Sequence, residues 1–368
     1  MASFEFPAGS AVGSSEMTQF LKEAATDRRG LLRRAAAVGL AAPALSAFSN
    51  AVWAQDETPA AQGEDGYVGS DPESPSTGDS SPVPAEVQPF TLYDPVLPTV
   101  EAGAKEITVV AKDATLLIAK DVPYAAWTFD GTVPGRTLRV REGDEIQFTF
   151  AIDPAASTAH SLDFHSAKTP PDKNYKTIMP GEEFSWTFTA EVPGAYMYHC
   201  GTPPVLMHIG AGMYGAMIVD PKDGWTPAQE LVFVQSEFYV VEGEGGVMVP
   251  DYTKMAGMAD ISFVTFNGYA NQYVENPISI KVGEPVRIFV VNAGPNIWSS
   301  FHVVGAIFDK AYVNAHPFNE LRGLQSITIG PGDGACVEFT VKEPGKYVAV
   351  NHAFGHASHG AIAILDAS

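Results

Sequence analysis

A chain of 368 residues, 45% of them hydrophobic, is long enough for two ordinary domains with sizeable cores. Its net charge of −21 speaks against nucleic acid as a partner, because the phosphate backbone would be repelled. No run of 18 apolar residues is present, so no membrane-spanning helix is expected.

In chain order, the first expected element is an export signal over residues 1–54. Arg28 and Arg29 precede a mildly apolar run, and Val52-Trp53-Ala54 offers a small-residue cleavage site. This has the form of a twin-arginine signal, which would place the mature protein in a periplasm or outside the cell. Residues 55–90 are rich in Pro, Ser, Gly, Asp and Glu and hold no Lys or Arg. Such a segment buries too little apolar surface to offset its ordering entropy, so a disordered acidic linker is expected.

From Phe90 onward the pattern is β. LRVREGDEIQFTF alternates, with Ile146, Phe148 and Phe150 on one face, and ISIKVGEPVRIFVV is read the same way. Pro-Gly turns recur at Pro180-Gly181, Pro193-Gly194, Pro331-Gly332 and Pro344-Gly345. They expose an internal repeat: TFDG at 128–131 returns as TFNG at 265–268, and Phe164-His165 returns as Phe301-His302. IMPGEEFSWTFTAEVPGAY returns as IGPGDGACVEFTVKEPGKY at a constant offset of 151. The chain is therefore expected to be all-β, with two tandem Greek-key β-sandwich domains over residues 91–222 and 223–368.

The chemistry concentrates in HSLDFH, from His160 to His165, and YHCGTPPVLMHIGAGM, from Tyr198 to Met213. The chain has two cysteines, Cys200 and Cys336. A disulfide is the plain reading in an exported chain. Cys200, however, is separated from His208 by seven intervening residues, with Met213 beyond, and Cys336 lies in an apolar strand pattern as a small core residue. Two imidazoles (His160 and His208), one thiolate and a weak axial thioether form the ligand set of a blue-copper electron-transfer site.

Adjacent strand residues point to opposite faces. If both segments are extended, one face collects His160 and Cys200, and the other collects Asp163, His165 and His199. The second set is an incomplete metal site that wants a third imidazole and an open position, as a catalytic site does. The peptide between His199 and Cys200 would join the two sites.

In the second copy Asn351 stands where Cys200 stands in the first, so no second blue site is expected. His352 is the expected third ligand of the open site, and His302 a proton-handling group beside it. The bland alternative for His302 is a satisfied core histidine. His356 and His359 compete with His352 for the ligand role but read as loop or surface residues, and His316 as a plain loop residue.

At these residues the sequence resembles the copper-containing nitrite reductases, over roughly residues 100–366. The resemblance implies type 1 copper ligands His160, Cys200, His208 and Met213, and type 2 ligands His165, His199 and His352. It implies the catalytic pair Asp163 and His302, with Val304 as a branched apolar residue over the substrate position. It further implies two coppers per chain, cupredoxin barrels, and a homotrimer in which His352 comes from the neighbouring subunit. Two features depart from the family pattern: SAKTPPDKNYKTI after His165, and the additional His356 and His359.

The reaction expected is one-electron reduction of nitrite to nitric oxide and water, with the electron from a small redox protein, a cupredoxin or a cytochrome c. A laccase-type multicopper oxidase would need several His-x-His pairs, and this chain has none. A non-catalytic blue-copper carrier would leave His165, His199, His302 and His352 without a role.

Overall fold

β-Branched and aromatic residues between tight glycine turns favour a pleated, half-buried backbone, and strands dominate the chain. The computed structural model describes residues 81–100 and 105–368. The first copy of the repeat forms β1 (Lys105–Ala119), β2 (Val122–Phe129), β3 (Gly135–Arg141), β4 (Glu145–Ile152), β5 (Asp163–Phe164), β6 (Glu183–Thr189), β7 (Gly194–His199) and β8 (Tyr214–Asp220). Then come β9 (Gln229–Phe238), β10 (Val240–Glu242), β11 (Met248–Pro250), β12 (Phe263–Phe266), β13 (Ile278–Ile280), β14 (Pro285–Gly294) and β15 (Ser299–Val304). The chain finishes with β16 (Lys310–Val313), β17 (Glu320–Leu321), β18 (Ser326–Ile329), β19 (Gly334–Thr340), β20 (Gly345–Asn351) and β21 (Ile362–Ala367).

The repeat in the sequence is a repeat in topology. The first copy contains the sheet orders β2-β1-β4-β6 and β3-β8-β7-β5, and the second contains β12-β9-β14-β19 and β13-β21-β20-β15. In both copies the two central strands of the first of these sheets pair in parallel, as β1 with β4 and β9 with β14. Each copy is thus a two-sheet β-sandwich with the same strand order.

Each sandwich has its own core, and a third apolar layer lies between them. β4 alternates as expected, with Ile146, Phe148 and Phe150 buried in the first core. β8 is buried on both faces: Met217 and Val219 face the first core, and Ala216 and Ile218 face the layer between the copies. β14 differs from the alternation expected of it. Ile288 and Val290 enter the second core while Phe289 and Val291 enter the shared layer, so nearly every residue is buried. A strand sandwiched on both faces reads as continuous apolar sequence. Of its two buried polar residues, Asn292 donates to the Ile297 and Ile329 carbonyls, and Arg287, 1% exposed, is satisfied by Glu338, Glu230 and the Thr226 carbonyl.

Cys336 lies fully buried in this shared layer, and both cysteines are free thiols. The copies approach so closely that a Cβ at Gly334 would fall 2.1 Å from the Ala195 carbonyl oxygen. Of the segment expected as linker, residues 85–88 are laid along β1, with the Gln88 amide donating to the Thr115 carbonyl (2.8 Å) and Val87 bridging Thr115. Borrowed backbone pairing orders this stretch, whose composition offers little to bury. The expected export signal and residues 55–80 lie outside the described residues. No described helix is long and apolar enough to cross a membrane.

One buried acid makes stability depend on pH. Glu237 on β9 is 1% exposed; its Oε1 accepts the amides of Asn296 (2.5 Å) and Ile297 (3.0 Å), while its Oε2 has no partner. Burial outweighs those hydrogen bonds and pushes its carboxyl up to about 7. The folded state therefore holds a proton that the unfolded state, with a pKa of about 4.3, releases first. This stabilising contribution is complete below about pH 4.3 and is lost as pH rises through about 7. Glu237→Gln should match the parent at pH 5 and exceed it at pH 8 by roughly 1–3 kcal/mol in urea unfolding. Equal pH slopes for the two proteins would contradict this.

Candidate metal centres

The ladder between β5 and β7 builds the sites. Asp163 stands directly opposite His199, and Phe164 opposite Tyr198. Phe164 and Tyr198 point into the first core, 5.7 Å apart between ring centroids. Asp163 and His199 therefore share the other face, joined by His165 two residues on, whose amide donates to the Met197 carbonyl. Cys200 follows the end of β7 and turns back toward the core, where it is fully buried.

On the core side, His160 Nδ1 and His208 Nδ1 are 3.1 Å apart. Cys200 Sγ lies 3.3 Å from His208 Nδ1 and 4.0 Å from His160 Nδ1. His208 sits on the short helix Val205–Gly210. Met213 is fully buried in the same cluster, its carbonyl accepting the Cys200 amide (3.1 Å) and its amide donating to the His208 carbonyl (3.1 Å). Burial lowers His160 to about 3 and His208 to about 4, so both are neutral imidazoles with lone pairs to offer. Burial also raises the Cys200 thiol. A cation seated among these atoms reverses that penalty, since a coordinated thiol loses its proton. The donor set, two imidazoles and one thiolate, fits copper, and the backbone bonds of the buried Met213 tie it to Cys200 and His208.

On the opposite face, His165 Nδ1–H donates to the Gly332 carbonyl (3.1 Å) and His199 Nδ1–H to the Cys200 carbonyl (2.9 Å). Carbonyls only accept, so both rings are held with their protons on Nδ1. Their Nε2 atoms face each other at 3.0 Å. As neutral imidazoles these are two lone pairs pointed at one another, an arrangement that a shared cation relieves. Burial lowers His199, against the opposing pull of Asp163, and so favours the neutral ring. Asp163 Oδ2 lies 3.9 Å from His199 Nε2. Asp163, His165 and His199 form one three-residue cluster of ligand atoms, and His160, Cys200 and His208 the other.

The remaining expected residues lie on the second copy. His302 on β15 donates Nδ1–H to the Gln325 carbonyl and packs edge-on against His352, with ring centroids 5.3 Å apart. His352, just beyond β20, is exposed beside Phe354, and Val304 is 45% exposed. Neither His302 nor His352 joins the Asp163 cluster within this chain. His356 is turned to Asn351 (3.1 Å) and His359 to the Gly355 carbonyl (2.6 Å), while His316 Nδ1 accepts the Phe318 amide (3.2 Å).

Sequence reasoning missed Trp127. Its ring lies 4.5 Å from that of His208 and 5.5 Å from that of His160, closing the core-side cluster. The signal was present in the repeat: the residue before TFDG is Trp127, while the one before TFNG, in the copy without the Cys–His–Met set, is Val264. It also missed Ser161, whose hydroxyl lies beside Cys200, and Thr202, whose hydroxyl donates to that of Ser161.

Comparison with known proteins agrees with this geometry. Residues 111–224 match the multicopper oxidase family model. The copper-containing nitrite reductase of Neisseria meningitidis serogroup B is 40% identical over 250 residues, covering 67% of this chain and 64% of that protein. The chain thus spans somewhat under two thirds of that curated relative. The copper nitrite reductase structure from Nitrosomonas europaea is 38% identical with a TM-score of 0.68, covering 73% of this chain and 94% of the other. The Cu-containing nitrite reductase structure from Thermus scotoductus is 31% identical with a TM-score of 0.66, covering 72% and 62%. With one such protein matched over nearly its whole length, and with two clusters of copper-suited donors on one ladder, the chain belongs to the copper nitrite reductase family.

Proposed function

We propose that this protein reduces nitrite to nitric oxide, consuming one electron and two protons and releasing water. The observation that carries this reading is the pair of donor clusters set back to back on the β5–β7 ladder, with a carboxylate beside the second. His160, Cys200, His208 and Met213 would hold a type 1 copper, and His165, His199 and His352 a type 2 copper, two per chain. Copper so held supplies one-electron transfer at the first site and a Lewis-acidic seat for a small anion at the second.

The chain's own groups handle the protons. Asp163 lies close enough to His199 Nε2 to hold a proton toward an oxygen of nitrite seated there. His302 keeps Nδ1–H on the Gln325 carbonyl, which leaves Nε2 to pass the second proton. Val304 presents a branched apolar wall to the anion. The adjacency of His199 and Cys200 means that one peptide links the two ligand sets.

In this reading the assembly is a homotrimer, as the family resemblance implies, and a chain that keeps His302 and His352 away from its own Asp163 cluster completes the site with a neighbour's pair. Residues 91–222 form the type 1 copper domain and residues 223–368 the domain that lends His302 and His352, after a 1–54 export signal and a linker to residue 90. The electron comes from a small cupredoxin or cytochrome c, and the reaction takes place in the periplasm or outside the cell.

The direct test is an anaerobic assay of copper-loaded protein with nitrite and a reduced dye, following nitric oxide. Asp163→Asn should bind both coppers and lose roughly 100-fold or more in turnover, the span of a lost general acid, and His302→Asn should behave alike. Full nitrite activity in Asp163→Asn would sink its assigned role. Sharing of the site is tested by mixing: His199→Ala and His352→Ala, each inactive alone, should regain activity when produced together, because one interface then carries both intact halves. No recovery in demonstrably mixed assemblies would contradict the shared site.

A further inference from the structure

Three hydroxyls lie in a row outside the core-side cluster. The Ser161 amide donates to Cys200 Sγ at 3.4 Å, and the Ser161 hydroxyl lies 3.9 Å from the same sulfur. That hydroxyl oxygen accepts two hydrogen bonds, from the Gly201 amide (3.0 Å) and from the Thr202 hydroxyl (3.1 Å). A serine oxygen has two lone pairs. Both are taken by these two donors, which leaves its single hydrogen free for the sulfur 3.9 Å away. Thr202 Oγ1 is in turn 3.0 Å from Thr177 Oγ1. Ser161 and Thr202 are buried and Thr177 is exposed, so the row runs from solvent to the sulfur.

We infer that Thr177, Thr202 and Ser161 form a hydroxyl relay that donates to the Cys200 thiolate and raises the reduction potential of the copper held there. The inference rests on the type 1 reading of His160, Cys200, His208 and Met213. Reduction adds negative charge at the copper–thiolate pair, and donor dipoles aimed at the sulfur favour that charge. Hydrogen bonds in a chain polarise one another, so the outer hydroxyls strengthen the inner one. Sequence spacing does not show the relay, because its members come from three separate segments.

The test is a spectroelectrochemical titration of the visible thiolate band in the copper-loaded full chain, which reads the potential without turnover. Ser161→Ala should lower the potential, by an amount equal to a roughly fivefold change in the reduced-to-oxidised ratio, the effect of one ordinary hydrogen bond; at 59 mV per tenfold this is about 40 mV. The band should also move to lower energy, because the sulfur donor level rises when its hydrogen bond is lost. Thr202→Val should lower the potential, Thr202→Ser should retain it, and Thr177→Val should lower it least. If Ser161→Ala does not fold, the Thr202→Val and Thr202→Ser pair carries the test alone. Unchanged potentials in Ser161→Ala and Thr202→Val, or equal losses in Thr202→Ser and Thr202→Val, would overturn the relay while leaving the ligand set standing. A parent protein with no thiolate band would overturn the ligand set itself, and the relay with it.

Discussion

The molecule depends on a two-residue ladder. Asp163–Phe164 pairs with Tyr198–His199, and the pleat sends Asp163 and His199 to one side and Phe164 and Tyr198 to the other. Because Cys200 follows His199 directly, the chain passes from one donor cluster to the other within a single peptide. The two faces differ in kind. The core side is buried and closed by the Trp127 ring, so it suits an electron-transfer metal that should not meet substrate. The other side carries a carboxylate and the exposed His165, which suits chemistry on a small anion.

The ladder is held in place from behind. β7 and β8 present Ala195, Met197, Ala216 and Ile218 to Val232, Val234, Phe289 and Val291 of the second copy. Apolar burial of this kind scales with area and resists small displacements, because cores pack at near-crystalline density. The second copy has lost the thiolate position to Asn351, yet it supports the first through this layer. It also offers the Gly332 carbonyl that sets the His165 tautomer. A copy without a blue site thus still shapes the donors of the other.

Much of this was legible in the sequence. The repeat offset predicted two sandwiches of equal topology, and the described strands pair in matching order. Strand parity could be applied to Asp163 and His199 because β5 and β7 are extended, and His165 reaches the same face from the turn just past β5. It could not be applied to His208 and Met213, which reach the cluster from a short helix and the turn after it. Trp127 could be read only by comparing the two copies of the repeat, and the Ser161–Thr202–Thr177 row was invisible because tertiary packing, not spacing, joins its members. The alternation read into β14 failed because alternation marks one buried face, and this strand has two.

The central claim is that neighbouring residues 199 and 200 serve two different coppers. Electron paramagnetic resonance of the copper-loaded protein tests it most directly. The account predicts two distinct cupric signals of equal weight. Cys200→Ser should remove the narrow-splitting thiolate signal and the visible colour while sparing the other, and His199→Ala should do the reverse. Loss of both signals from either substitution, or loss of neither, would contradict the account.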